Sequence, residues 1–402
     1  MKAAFFHDVK LLRNKDNKYF SIGDFYYEIW KRYLEHFDEL TVVTRCIEIN
    51  DDNMNKYKIA SGENVNFQSV PNLNNLSIIK NYRKAKRIIR EVLSKVDCAI
   101  IRLPSNIGLV ACHECIKMGK PWAVEVVGCA WDALWNHGSI KGKLVAPIEY
   151  FLNKYYIIKA PYAIYVSKSF LQRRYPCKGV SISCSDVNIF EPQQEVINKR
   201  VEKINKEFDG RPINFGMIGS LDVSYKGHET AIRALGSIKG DIPDFRLLLL
   251  GPGKPNKWQH LANSLGIGDK IIFCGTLPGG EAVLRWLDNI DIFLMPSLAE
   301  SHGRALVEAM SRGCPAIGAR TGGIPELLSE ECIHKAKDYK MLSKIIIKFI
   351  KSKDLMKKLA IENFERSKEY SKNILDNERK KFWNQFKQYV QTKHSCTDTT
   401  SV

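Results

Sequence analysis

Ile292-Phe293-Leu294-Met295-Pro296-Ser297-Leu298-Ala299-Glu300-Ser301-His302-Gly303-Arg304-Ala305-Leu306-Val307-Glu308-Ala309-Met310 reads as one strand, one turn and one helix. The apolar run Ile292–Met295 stops at a proline. A short polar loop then carries Glu300, a glycine follows, and Glu308 falls in the first turns of the next helix. Such a turn aims free N–H groups and the positive end of a helix dipole past the strand's carboxyl edge. That edge is where open α/β sheets bind ligands. Carboxylates there are poor partners for phosphate and good ones for hydroxyls. The combination points to a nucleotide sugar, with amides for its phosphates and acids for its hydroxyls.

Working outward, strand-like and helical patterns alternate through the whole chain, which predicts an α/β fold with parallel sheets. Its 402 residues exceed one ordinary core, so two domains are expected. In the first half, strands are predicted over 3–7, 40–44, 99–103, 122–127 and 163–166, with helices over 25–37 and 83–93. The polar stretch Glu191 to Pro212 marks the boundary, dividing 1–195 from 196–372. Beyond it strands are predicted over 213–218, 246–250, 271–274, 292–295 and 315–319. Helices follow over 227–238, 257–265, 281–287 and 304–312. Phe382, Phe386 and Tyr389 lie at helical spacing within 377–391, so a last helix is expected over 373–392, and the polar tail 393–402 should fray.

The net charge is +17, with 28 Lys/Arg against 18 Asp/Glu in residues 1–190. Its densest patch, Lys80 to Arg90, has Ile78, Tyr82, Ala85, Ile89 and Val92 on one helical face. That pattern fits a solvated face or a surface resting on anionic lipid. No recognition helix, zinc site or RNA-binding signature accompanies the charge, so nucleic acid is not an expected partner. No run reaches the roughly 18 apolar residues of a membrane span, and the start is too short before Asp8 for a signal-peptide apolar region. A cytosolic protein, peripheral at the inner face of the cell membrane, is expected. The 11 cysteines sit among apolar neighbours, as reduced thiols do. Cys112-His113-Glu114-Cys115 lacks a second ligand pair and reads as a helix face, so no metal site is expected.

Five elements in register carry a resemblance. They are Glu300-x7-Glu308 running into Ala309-Met310-x-x-Gly313-x-Pro315; Gly322-Gly323-x-Pro325-Glu326; Gly219-x-Leu221 with Lys226-Gly227; Leu250-Gly251-x-Gly253; and Phe273-Cys274-Gly275. Together they resemble the signature of family 4 glycosyltransferases, strongly over residues 213–328 and weakly before. The resemblance implies a GT-B fold, two Rossmann-like domains facing each other across a cleft. It also implies a retaining transfer from a UDP- or GDP-sugar without an essential metal or other cofactor. Carried over, Glu308 holds the ribose and Glu300 the transferred sugar. Ser301, His302 and Gly303 form the turn whose amides face the diphosphate, and Lys226 offsets the leaving group's charge. Arg304, Gly219, Ser220, Gly251, Gly253 and Gly275 complete the donor side, with Gly23 in a loop near the phosphates. Ser220 stands where the family commonly has arginine. His302 holds an aromatic position and is read equally as packing or catalysis.

The first domain is expected to bind a saccharide acceptor, lipid-linked by the argument from charge, as in surface polysaccharide assembly. Glu125, Trp131, Asp132 and His137 are its candidates, from a run rich in aromatic and polar groups after a predicted strand. The alternatives are a nucleotide-sugar isomerase or epimerase on the same fold, and a non-catalytic saccharide-binding protein.

Overall fold

The structure is a computed structural model and describes residues 1–49, 57–73, 78–136, 138–206 and 210–398. Its strands are β1 (Lys2–Arg13), β2 (Tyr19–Ser21), β3 (Glu39–Glu48), β4 (Lys58–Ile59), β5 (Val65–Ser69), β6 (Cys98–Leu103), β7 (Trp122–Val126), β8 (Tyr162–Tyr165) and β9 (Val180–Ser183). A second set comprises β10 (Ile213–Ile218), β11 (Phe245–Leu250), β12 (Ile271–Phe273), β13 (Ile292–Met295), β14 (Ala316–Ala319) and β15 (Ile333–His334).

The second set forms one parallel sheet in the order β12-β11-β10-β13-β14-β15. Its central strands are buried on both faces, hence their near-continuous apolar sequences. The order reverses direction between β10 and β13, and ligands bind at the carboxyl ends of such a switch point. The first set is also doubly wound, with parallel neighbours β5-β3-β1-β6-β7-β8-β9. Its own reversal lies between β1 and β6. Past Phe6 the register of β1 shifts, and its second half pairs with β2 and, through it, β4. The two sheets face each other across a cleft in the GT-B arrangement.

Two of the links between the halves matter most here. Glu326 Oε1 accepts from the backbone N–H of Ser169 (3.0 Å) and Phe170 (2.5 Å), and Oε2 from that of Lys168 (2.7 Å). One carboxylate thus caps a helix of the opposite half. The last helix, Lys372–Asp398, returns to the first half and places Trp383 edge-on to Tyr33 and Phe37. One buried cluster therefore runs from Phe5 and Trp30 through Trp383 to Phe215 and Met310.

The structure differs from expectation in several places. The last helix continues over 393–398, where a frayed tail was predicted. The polar stretch at 191–212 contains a helix, Gln194–Asn205, anchored because buried Arg200 donates to the carbonyls of Leu287, Ile290 and Arg312. The helix Ile140–Lys159 was not predicted, because apolar residues lie on both its faces and hide the amphipathic period. Strands β2, β4, β5, β9 and β15 were not predicted, because each is too short or too mixed in polarity to carry a strand pattern. Cys112 and Cys115 are buried in the helix Asn106–Met118, as the helix reading requires, and burial pushes both thiols up.

Candidate functional site

The chain leaving β10 and the chain leaving β13 meet at the switch point. Lys226 closes a short 3-10 turn after β10, and Glu300 lies in the loop after β13. Lys226 Nζ donates to Glu300 Oε2 at 2.7 Å, with side chains only 23% and 15% exposed. Local packing fixes this pair. The Leu298 N–H donates to the Tyr225 carbonyl (2.7 Å) and ties the two loops together. A Cβ on Gly219 would stand 2.9 Å from Lys226 Cγ, so the bare glycine lets the lysine chain cross it. Gly227 has φ +81°, and a Cβ there would lie 2.0 Å from the Pro296 carbonyl oxygen. Gly322, at φ +56°, leaves even less room: its Cβ would fall 1.3 Å from the Glu300 carbonyl oxygen. The Gly322-Gly323 pair is thus the prop under the Glu300 loop, and Thr321 adds a bond to the Ser297 carbonyl (2.8 Å).

Beside the pair lie the strand-end loops of β11 and β12. The Gly251 N–H donates to the Gly275 carbonyl (2.7 Å) and the Gly219 N–H to the Leu250 carbonyl (2.9 Å). Gly253 packs against Asp222, whose carboxylate accepts from the Lys254 N–H; the Ser220 hydroxyl accepts from the Asp222 N–H (3.3 Å). Ser220 therefore shapes its own loop.

Gly303 has φ +96° and opens the helix Arg304–Ser311. Leu306, Val307, Ala309 and Met310 bury the inner face, which turns Glu308 toward the cleft side with Arg304 one turn earlier. Burial raises the Glu308 carboxyl above its usual range; Arg304 opposes this and Asp24 adds to it. Arg304 reaches across to Asp24 (3.3 Å), next to Gly23 in the first half. The structure thus gathers Gly23, Arg304 and Glu308 in one corner.

A pocket of about 310 Å³ lies between the halves, lined by Lys226, Glu300 and Ser301 on one side and Pro104, Gly128 and Asp132 on the other. Asp132 is the acceptor candidate that reaches it. Its carboxylate is held by Arg174 (2.5 Å), while burial raises its pKa. A second pocket of about 490 Å³ shares Pro104 and Ala133 with the first and continues into the first half, where Asp8 and Glu149 line it. It sits at the β1/β6 switch point. Burial raises both carboxyls, and Asp8 raises Glu149 further.

The remaining candidates lie elsewhere. Trp131 stacks on Trp135 (5.2 Å) and does not line either pocket. Glu125 is 5% exposed, accepting from Tyr33 (2.8 Å) and Arg102 (2.8 Å), so its carboxylate is committed to the interior of the sheet. His137 lies outside the described residues. His302 is 3% exposed against the Tyr370 ring (5.1 Å), and burial lowers its pKa, so its imidazole is neutral near pH 7. That placement is packing beneath the Glu300 loop rather than contact with the pocket.

Sequence reasoning missed Arg102, Asp186, Asp8 and Glu149. Arg102 bridges Glu125 and Asp186 (3.1 Å), and burial of Asp186 is outweighed by Arg102 and Arg304, which hold its carboxyl low. The available signal was charge inside apolar strands: Arg102 and Glu125 are register partners on β6 and β7. A larger cavity, about 570 Å³, lies at the amino edge of the second sheet around Asp291. Lys203 and Arg211 already pair with that carboxylate, so the site is structural. Among the described residues no group of three or more His, Cys, Asp or Glu is placed to hold a metal ion.

Comparison with known proteins bears on the family and the fold. Residues 198–366 match the family described as glycosyl transferases group 1. The chain is similar to Protein CapJ of Staphylococcus aureus, 35% identical over 97% of each chain. It is 34% identical to sulfoquinovosyl transferase SQD2 of Arabidopsis thaliana over 28% of this chain and 21% of that one. Among solved structures, sucrose-phosphate synthase from Thermosynechococcus elongatus superposes with a TM-score of 0.66 at 16% identity, covering 96% and 98% of the two chains. Anabaena HepE in complex with UDP and glucose gives 0.59 at 15%, covering 98% and 99%. WaaG, a glycosyltransferase involved in lipopolysaccharide biosynthesis, gives 0.60 at 14%, covering 96% and 99%. At these identities the structures speak to the fold alone.

Proposed function

Since the chain belongs to the group 1 glycosyltransferases, we propose that it transfers a sugar from a UDP- or GDP-linked donor to a saccharide hydroxyl with retention at the anomeric carbon. The observation that carries this reading is the Lys226–Glu300 pair in the cleft, flanked by the glycine loops on one side and Asp132 on the other.

The chemistry follows from the residues. The diphosphate lies at Lys226, the Gly219 loop and the N–H groups at the start of the helix Arg304–Ser311. Glu308 accepts from the two ribose hydroxyls, for which a carboxylate has the acceptor capacity. Glu300 holds a hydroxyl of the transferred sugar and faces the positive charge that develops at C1. As the C1–O bond to the diphosphate breaks, Lys226 stabilises the charge gathering on the leaving oxygen. The acceptor oxygen bonds to C1 on the same face and passes its proton to a leaving diphosphate oxygen, so no side chain serves as general base. Positive charge fixed in the protein does the work a divalent cation would do, and turnover is expected to persist in EDTA.

The acceptor occupies the second pocket, lined by Asp8 and Glu149, and reaches the cleft pocket past Asp132. A lipid-linked surface saccharide fits the basic first half and the role printed for WaaG. We place the enzyme in the cytoplasm, peripheral at the inner membrane face.

A thermal-shift screen of UDP, GDP and their sugars tests the donor assignment. Stabilisation of roughly 2.7 kcal/mol is expected when the right nucleotide stands at a hundred times its Kd. Product analysis with donor alone then separates transfer from isomerisation. A rearranged sugar nucleotide formed without acceptor would overturn the transfer reading, as would a screen in which no nucleotide stabilises the protein.

A further inference from the structure

Helix Ile140–Lys159 packs on the first half through Ala146, Asn153 and Ile157, which are buried. At about 100° per residue these positions define one side of the helix. Opposite them, Ile140, Leu144, Ile148, Phe151, Leu152 and Tyr155 fall within an arc of about 120°. All six are exposed, between 40% and 79%. A contiguous row of large apolar side chains on the outside of a helix is a contact surface, not a scatter of single residues.

We propose that this row is a docking face for an anionic lipid bilayer. Lysines accompany it: Lys143 and Lys154 border one flank, over the rings of Trp135 and Tyr150 (both 5.9 Å), and Lys141 and Lys159 stand at the two ends of the row. The next helices continue the charge: Tyr156 contacts His113 (3.3 Å), and Glu114 on that same helix pairs with Lys86 and Arg90 of the basic helix Ile78–Ser94. Arg83, Lys84, Arg87 and Arg90 of that helix are exposed. An apolar stripe edged by cations lies in the plane of a bilayer surface, apolar side inward and ammonium groups at the headgroups. The same flanking charge disfavours a second copy, because a two-fold self-pairing would bring lysine against lysine. No helix among the described residues is long and apolar enough to cross a membrane, so the helix lies on the surface.

The first turns of this helix also line the second pocket, through Ser139, Lys141, Gly142, Val145 and Glu149. A lipid-linked acceptor would pass from the bilayer directly into that pocket. This part deepens the acceptor assignment above and rests on it; the docking face stands on the exposed row.

Flotation of the full chain with vesicles of phosphatidylcholine, with and without phosphatidylglycerol, tests the proposal. The protein should float with the anionic vesicles only, and less so in high salt. Leu144→Glu with Phe151→Glu should abolish flotation while leaving the melting temperature and the nucleotide-induced thermal shift unchanged. Arg87→Gln with Lys154→Gln should lower binding to the anionic vesicles about 30-fold. If the acidic double variant melts early, Ile148→Gln reads the same surface with a smaller change and should weaken flotation. Failure of the unmodified chain to float on anionic vesicles would overturn the docking face. So would a dimer in solution that the acidic variant dissociates without changing vesicle binding. Loss of flotation with intact transfer to a soluble glycan would leave the transferase reading standing, whereas loss of the nucleotide response would strike that reading alone.

Discussion

Replacing Lys226 with alanine is the sharpest perturbation of the donor site. Its ammonium sits 2.7 Å from Glu300, and its side chain is 23% exposed. Facing a full charge at about 3 Å in an effective dielectric of about 20, it would contribute roughly 5–6 kcal/mol before solvent competition. Removing one preorganised charge-stabilising group from other active sites costs about 2.7–4 kcal/mol, and the amides of the neighbouring helix remain to share the load. The expected loss in kcat is therefore about 10²–10³-fold, since each 1.36 kcal/mol is tenfold. Breaking the pair should cost only about 1–3 kcal/mol of stability, between the exposed and buried limits. The assay is nucleotide release at saturating donor, using the sugar nucleotide found in the thermal-shift screen, beside a melting curve. Lys226→Arg keeps the charge but must pass its fork over Gly219, so it should recover only part of the rate. Retention of more than a tenth of the original kcat by the alanine variant, with the fold intact, would refute the assignment.

Three other perturbations follow from the same geometry. Burial holds the Glu308 pKa above the usual glutamate range, so its ionised form is lost as pH falls through that raised value, and donor KM should climb at higher pH than for a surface carboxylate. Glu308→Gln should flatten that profile and weaken donor binding by about 1.5–3 kcal/mol. Because ionisation is disfavoured in the fold, it should also melt slightly higher at neutral pH; an unchanged KM profile would count against the ribose role. Gly322→Ala would have to hold alanine in the left-handed region, at about 1–2 kcal/mol, and must also displace the Glu300 carbonyl, so both melting temperature and kcat should fall. A variant as active as the parent would show that the prop is unnecessary. Glu326→Ala uncaps the helix that begins near Ser169 and should cost about 0.5–2 kcal/mol, read by denaturant unfolding.

The donor side was legible because it is local in sequence. Each binding loop follows an apolar strand directly, and its glycines stand where Lys226 or the Glu300 loop needs bare backbone. The acceptor side is assembled from residues far apart, Asp8, Pro104, Asp132 and Glu149, and no single stretch announces it. Glu125 misled because a lone acid near aromatic residues looks like a ligand, whereas its partner Arg102 waits on the adjoining strand. The helix Ile140–Lys159 was invisible for a related reason. Periodicity searches look for one apolar face, and this helix has two.

Glu326 and Gly322 are four residues apart. One end of this short segment grips the backbone of residues 168–170 in the opposite half, and the other abuts the carbonyl of Glu300. Any rotation of one half against the other must load that segment like a lever. The far edge of the cleft is held by the exposed Arg304–Asp24 pair, worth at most about 1 kcal/mol, and gives way first. Swinging open at that edge would therefore tug on the sugar-binding acid, so that opening the cleft and disarming it become a single mechanical event.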